Sequence, residues 1–448
     1  MDREPKTMYR TKYHNLEQMD IRPLTFCMQC GTCLNDQRSE VGADGTCTVF
    51  DFVPGFEPYF SRGKNQVIRA LLEGRLEPSQ ELYDAVGMCT VCNLCNVMCH
   101  NSWDEIEDGG TSSFPIHRVM DQANVFEALR ADLVELGFEH RPGHKVLVAS
   151  IKQNDNPWGQ PRRAKADWTR TYKPKNGVNL AKKKEEIEVL YYTGCTAALD
   201  RSMRDVVIST AQLLDKTGVK WGYLGADEVE CGSILMRIGE RAEFKRVASH
   251  NVKAFNDLYD NYGLKTIITS CAGCFKTIFQ DYPEWHQDIG GAVKAEVRHT
   301  FDLMLQYVKE GKLKLEHEVK ATVTYHDSCH NGRHCGYFEM PRDLLTSIPG
   351  IKLVEMPRNG KTSRCCGAGG GVKSGYGDLS TNISLDRVKE AEATGAEFLV
   401  NNCPFCEQNF RDGIIGLNSK IKNFDSVQLL AVSAGAKPLE ELKSLGVN

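Results

Sequence analysis

The apolar residues of this chain come in short runs. Val189 to Thr193, Thr266 to Thr269, Ala321 to Tyr325 and Glu397 to Val400 are apolar, β-branched or aromatic, the length and composition of buried strands. Each runs directly into a cysteine-bearing turn. FKTIFQDY follows the CAGC at 271–274 and EQNFRDGI follows the CPFC at 403–406; both predict helices. Strand, cysteine, helix is the order of a parallel α/β sheet with its cysteines at the carboxyl ends of strands. That is where such sheets take ligands and where helix N-termini offer N–H groups to anions. No apolar run approaches the ~18 residues that cross a bilayer. The charged opening MDREPKTMYRTKYHN has no apolar segment of a secretion signal, so a cytoplasmic location is expected.

With 448 residues the chain has room for about three domains, and its net charge of −4 gives no general reason to expect nucleic acid as a partner. Eighteen cysteines change the picture. In a large chain without an export signal they point to metal before disulfides. Cys89, Cys92, Cys95 and Cys99 have the C-x2-C-x2-C-x3-C spacing of bacterial ferredoxins. Cys27, Cys30, Cys33 and Cys47 start the same way before a ten-residue insertion delays the fourth member. Two quartets predict two cubane [4Fe-4S] clusters. In two-cluster ferredoxins the fourth cysteine serves the other cluster, which pairs Cys27, Cys30 and Cys33 with Cys99, and Cys89, Cys92 and Cys95 with Cys47. Zinc sites prefer separate C-x2-C pairs and suit this run poorly.

Cys195, Cys231, Cys271 and Cys274 recur 132 to 135 residues later as Cys329, Cys366, Cys403 and Cys406. EIEVLYYTGC matches VKATVTYHDSC, and GLKTIITSCAGC matches GAEFLVNNCPFC. A period this long means duplicated domains. The second copy also has the run RCCGAGGG at 364–371, where Cys365 precedes Cys366 and glycines let the backbone pass close to another object.

The pattern C-x35-CC-x36-C-x2-C, formed by Cys329, Cys365, Cys366, Cys403 and Cys406, resembles the cysteine-rich CCG domain of heterodisulfide reductase catalytic subunits. A two-cluster ferredoxin-like part followed by two CCG repeats is similar to the fused catalytic subunit of the membrane-linked enzyme, to a sulfate-reducer relative acting on a sulfur-carrier protein, and to the iron–sulfur subunit of anaerobic glycerol-3-phosphate dehydrogenase. The likeness runs from about Thr25 to Gly413 and includes SRGKNQVIRALLEG at 61–74 and HDSCHNGRHCG at 326–336. It implies a noncubane [4Fe-4S] cluster on the five cysteines and the splitting of a disulfide at iron.

The expected architecture is a mainly α-helical two-[4Fe-4S] ferredoxin-like domain followed by an α/β CCG-type tandem repeat. Its expected divisions are a tail (1–24), the ferredoxin-like domain (25–138), a basic connector (139–185), a first, degenerate repeat (186–315) and a second, complete repeat (316–448). The first repeat has Glu230 where the second has Cys365, so a further cluster on Cys195, Cys231, Cys271 and Cys274, with or without Glu230, stands open beside an empty repeat. His326, His330 and His334 flank Cys329 as packing residues or proton donors, with His330 taken into the candidate catalytic set. Cys335 reads as an unpaired buried thiol or as a reactive thiol near the cluster, and Arg333 and Arg364 as complements to cluster or substrate charge. The stretch 141–184 carries twelve Lys or Arg against two acidic residues and reads as an irregular linker or docking strip. Two functions follow: electrons pass from the cubanes to the noncubane centre and reduce an S–S substrate, small molecule or sulfur-carrier protein; or the chain is the relay subunit of a flavoprotein dehydrogenase complex, passing electrons from the oxidation of an organic substrate to a quinone or other carrier. A flavoprotein or membrane cytochrome is the expected redox partner.

Overall fold

A computed structural model describes residues 13–18, 27, 29–34, 46–99 and 121–438. Most of the expected tail, the insertion between Cys33 and Cys47 and the last residues of the second repeat lie outside them. The chain divides into two compact units. One comprises Met1–Lys145, Ile234–Arg241 and Lys361–Ile383, and the other Val146–Ser233, Ala242–Gly360 and Ser384–Asn448. The division does not follow linear order, since Cys365 and Cys366 group with the N-terminal residues.

The first unit is helical. Its helices Ser61–Leu72, Gln80–Gly87 and Gln122–Glu135 supply its apolar core, and two of them start at defined caps: Ser79 Oγ accepts from Leu82 N at 3.2 Å and Asp121 Oδ1 from Asn124 N at 3.2 Å. Apolar positions three and four apart (Ile68, Leu71, Tyr83, Val86, Phe126, Leu129 and Leu133) close one core. On the helix Gln122–Glu135, buried Arg130 donates to the carbonyls of Val86 (2.7 Å), Cys89 (2.6 Å), Arg237 (2.6 Å) and Gly370 (2.9 Å). The guanidinium fork thus ties the glycine run to the Cys89 turn.

The close approach that the glycines permit is to protein backbone. A Cβ on Gly370, at φ +65°, would lie 2.4 Å from Cys89 O, and one on Gly367 would lie 2.7 Å from Ser380 O. His144 completes the mount by donating its Nε2–H to Gly371 O at 2.8 Å, while its Nδ1 is buried without a partner among the described residues. Burial therefore pushes this imidazole down to about 4. An unfolded histidine titrates near 6.5, so between those values the unfolded chain binds the extra proton. Stability is full above about pH 6.5 and falls as pH drops toward 4. The expected loss is about 2 kcal/mol between pH 7.5 and 5, seen as a lower urea midpoint, and His144→Gln should remove that part of the slope.

The second unit contains two parallel sheets. In the first, β1 (Gly177–Asn179), β2 (Val189–Tyr191), β3 (Trp221–Tyr223), β4 (Thr266–Thr269) and β5 (Glu296–His299) run in the order β1-β3-β2-β4-β5. In the second, β6 (Ala321–Tyr325), β7 (Ile351–Leu353), β8 (Phe398–Asn401) and β9 (Lys422–Asp425) run β7-β6-β8-β9. Removing β1 leaves the same order twice, as a duplication requires. The registers Leu190 to Ile267 and Thr324 to Leu399 place the two cysteine-bearing strands of each repeat side by side. Chain direction across the sheet reverses between them, which opens the ligand crevice at their carboxyl ends. One apolar core, including Trp168, Trp221, Leu303, Leu344 and Leu430, runs through both repeats.

The stretch expected as an irregular connector is ordered. It forms the helix Pro142–Asn154, a 3-10 helix Arg162–Arg170 and the edge strand β1. Ala164, Lys165 and Trp168 are buried, while Arg170 faces outward. The many basic residues masked the buried face in the sequence.

Candidate metal centres

In the first unit, Cys47, Cys89, Cys92 and Cys95 line one cavity of about 30 Å³ together with Phe60, Ser61, Lys64, Asn93 and Phe126. Its rim is made by unusual backbone. Val91 and Asn93 have φ of +47° and +60°, and at the matching places of the other motif Gln29 and Gly31 have +58° and +86°. A β-branched residue is rarely left-handed. Two loops with the same departures at the same spacing repeat one backbone pattern around their cysteines.

Lys64 enters from the helix Ser61–Leu72, on the face of Ile68 and Leu71. Neighbouring Gly63 lets that helix press onto the preceding turn, since a Cβ there would be 1.8 Å from Glu57 O. The Lys64 side chain is buried, its ammonium lies 5.8 Å from the Phe126 ring centre, and no carboxylate pairs with it among the described residues. A buried ammonium is costly without a counter-charge. The Oγ of Ser61 and Oδ1 of Asn93 in the same walls likewise have no partner among those residues. Four thiols, an uncompensated cation and orphaned polar atoms fit an anionic iron–sulfur group. Burial pushes the Cys47 thiol up to about 11, with Lys64 pulling it back. Burial also pushes Cys33 up to about 12, and the neighbouring Cys27, Cys99 and Cys47 add to the rise. Cys30 is exposed and lies 3.0 Å from Thr32 Oγ1.

In the second unit the first repeat gathers Cys195, Cys231, Cys271 and Cys274. Cys195 begins a helix beyond β2, and Cys271 stands just before the helix Ala272–Lys276 beyond β4. The Cys231 and Cys271 thiols each lie close enough to Cys274 that the partners perturb each other's ionisation. Gly194, at φ +73°, leaves room that a Cβ would fill 3.3 Å from Cys274 Sγ. Three hydrogen bonds pin the carbonyls of the VEC segment: Tyr192 Oη to Val229 O (2.6 Å), Asn251 Nδ2 to Glu230 O (3.0 Å) and Tyr282 Oη to Cys231 O (2.8 Å). Buried Glu230 sits among the thiols with Oε1 3.4 Å from Cys231 Sγ, and burial raises its carboxyl pKa. Lys165 reaches the same place. Its Nζ is 3.3 Å from Cys195 Sγ and 2.8 Å from Glu228 Oε1. The donor set fits a metal cluster.

Of the complete motif, Cys329, Cys403 and Cys406 are buried beyond β6 and β8 of the second unit, whereas Cys365 and Cys366 are buried in the first. Cys406 Sγ lies 3.7 Å from Ser328 Oγ. Interaction with the Cys271 and Cys406 thiols holds Cys403 well below the ordinary thiol range, so a thiol of the first repeat lies within electrostatic reach of one of the second. Burial pushes His326 down to about 3 with Arg387 adding; its ring packs 4.7 Å from Phe410, while its Nε2 is buried without a partner among the described residues. His330 is buried directly after Cys329, its ring 4.9 Å from that of His334. Arg364 is ion-paired with Asp51 in the first unit, and Cys335 is half-buried. Sequence reasoning missed Lys64, Lys165, Glu228 and Arg130. Lys64 had a signal, being in helical register with Ile68 and Leu71; Lys165 was one of many basic residues.

A family model of the CCG cysteine-rich domain matches residues 189–279 and 323–411. A subunit of the dihydromethanophenazine:CoB–CoM heterodisulfide reductase of Methanosarcina mazei is 33% identical over 94% of this chain and 96% of its own. The probable iron–sulfur-binding oxidoreductase FadF of Bacillus subtilis is 27% identical over 94% of this chain and 61% of its own. EtfAB:quinone oxidoreductase of Syntrophomonas wolfei is 30% identical over 78% and 47%. No helix among the described residues is long and apolar enough to cross a membrane. With paired CCG repeats on paired parallel sheets, and similarity to a heterodisulfide reductase subunit along nearly its whole length, the chain belongs to the heterodisulfide reductase-like family of CCG-domain iron–sulfur oxidoreductases.

Proposed function

We propose that this protein belongs to an electron-transfer complex and reduces a disulfide or related S–S substrate. The observation that supports this reading most is the complete five-cysteine motif, Cys329, Cys365, Cys366, Cys403 and Cys406, in a chain similar along its length to a heterodisulfide reductase subunit. Cys27, Cys30, Cys33 and Cys99 hold one cubane cluster of a ferredoxin-like domain, and Cys47, Cys89, Cys92 and Cys95 hold the other. The five cysteines would hold a noncubane cluster, which would supply iron for S–S chemistry. Cys195, Cys231, Cys271 and Cys274 hold a further cluster, with Glu230 in the place of the missing thiolate. His330, next to Cys329, is positioned to give a proton to a departing thiolate. Opening the bond takes two electrons and two protons and yields two thiols. The electrons come from a redox partner, flavoprotein or membrane cytochrome.

Cys92→Ser should lower the iron of anaerobically purified protein by about four atoms per chain, leaving the centres of the CCG repeats loaded. Unchanged iron would reject the assignment of Cys92. Exposure to air should bleach the visible absorption, because cluster sulfide is oxidised; a colourless, zinc-loaded anaerobic protein would reject the redox reading. A second reading, electron relay to quinone without an S–S substrate, is favoured by the likeness to an EtfAB:quinone oxidoreductase and by the cysteine missing at Glu230.

A further inference from the structure

Lys165 lies outside both cysteine repeats, yet its ammonium is 3.3 Å from Cys195 Sγ. The Lys165 and Glu228 side chains are each 1% exposed. Glu228 is heavily used elsewhere: its oxygens accept from Thr193 N (2.9 Å), Thr193 Oγ1 (2.9 Å) and Gly194 N (3.0 Å) as well as from Lys165. Those bonds fix the turn that delivers Cys195 and draw on the carboxylate's charge, so part of the cation's field is left facing the sulfur. The Tyr192 ring, 6.0 Å away, closes the other side. The Lys165–Glu228 pair is not repeated at the matching positions of the second repeat. At the offset relating Cys231 to Cys366, the position of Glu228 is Ser363, and Lys165 belongs to the 3-10 helix Arg162–Arg170, before the repeat begins.

We propose that Lys165 sets the reduction potential of the first-repeat centre, its fixed positive charge making that centre easier to reduce. The idea rests on the reading that Cys195, Cys231, Cys271 and Cys274 hold a redox-active cluster. A reduced cluster carries one more negative charge than an oxidised one. Hydrogen bonds to its sulfurs and nearby cations stabilise that form and raise the potential. The effect is strong here because both partners are out of water, where charges are poorly screened. Since the Cys271 and Cys403 thiols lie within electrostatic reach of each other, an easily reduced first-repeat centre would keep an electron near the second repeat. Lys165 acts on the centre through its charge.

The test is a mediated redox titration of full-length, anaerobically purified protein, followed by its paramagnetic signals, with iron and zinc counted in every sample. The first-repeat signal is the one that Cys274→Ser removes. Lys165→Gln loses the charge but keeps a donor, and should shift the reduction equilibrium at least tenfold toward the oxidised form, about 59 mV lower for one electron. Glu228→Gln removes a nearby negative charge and should move the same signal to higher potential. Where Lys165→Gln fails to retain the centre, the Glu228→Gln shift decides. Midpoints unchanged in both variants, or shifted in the same direction, would overturn the role of Lys165 while leaving the cluster in place. If Cys274→Ser removes neither iron nor a signal, the first repeat has no redox centre, and both readings fall.

Discussion

Replacing Cys365 by serine is expected to lower reduction of an S–S substrate by at least about 100-fold, the upper range for a disturbed metal shell, while the two N-terminal clusters remain. Cys365 is buried, and Gly367 N lies 3.4 Å from its sulfur, so the backbone is arranged for a thiolate. A serine hydroxyl is a harder ligand and is not deprotonated near neutral pH, so it does not replace thiolate at iron. The first repeat supplies a control, because Glu230 stands at the position equivalent to Cys365. Cys365→Glu should make the second repeat's paramagnetic spectrum resemble that of the first, and Glu230→Cys should move the first toward an irregular centre. Viologen-linked disulfide reduction and low-temperature spectra of the three variants measure both effects. If Cys365→Ser kept its spectrum and full disulfide-reducing activity, relay to a carrier would become the better account.

Gly370→Ala is expected to destabilise the first unit by about 3 kcal/mol or more. The left-handed φ of +65° costs an L residue roughly 1–2 kcal/mol. The added Cβ would also lie 2.4 Å from Cys89 O and 2.8 Å from Thr90 C, so backbone must move, and backbone displacement in a packed region falls in the large class of mutational effects. The strain lands on the carbonyl of a cluster-ligand candidate and on a residue held by Arg130, so iron retention should fall with stability. Gly395, at φ +72° with nothing within 4 Å of its Cβ position, is the comparison: Gly395→Ala should show the conformational cost alone. Urea midpoints and iron per chain separate the two. Equal effects at both positions would mean that Gly370 does not bear on the Cys89 turn.

Much of the second unit was legible because its signals are local. Ala321 to Tyr325 and Thr266 to Thr269 are strands as their β-branched composition requires, and the duplicated strand order follows from matching sequence around the cysteines. Strands β1, β3, β5, β7 and β9 were missed. They have only three or four residues, with polar or glycine positions in such strands as Lys422–Asp425 and Gly177–Asn179, too short to establish a period of two. Their structure comes from pairing with a neighbour already in place.

The sequence by itself determined the iron–sulfur character, the duplication and the family, because cysteine spacing is preserved in the linear order of residues. Tertiary structure decided what surrounds those cysteines. Arg130 gathers carbonyls from Val86, Cys89, Arg237 and Gly370, and Lys165 leaves a basic stretch to meet Cys195, through contacts between residues 30 to 240 positions apart. Lys64 is buried with no carboxylate beside it among the described residues, which its place in a helix does not reveal. A lysine's identity does not say whether its charge ends in water or against a sulfur. Only the packing of the whole unit excludes the water, and with it the screening that makes such charges weak elsewhere.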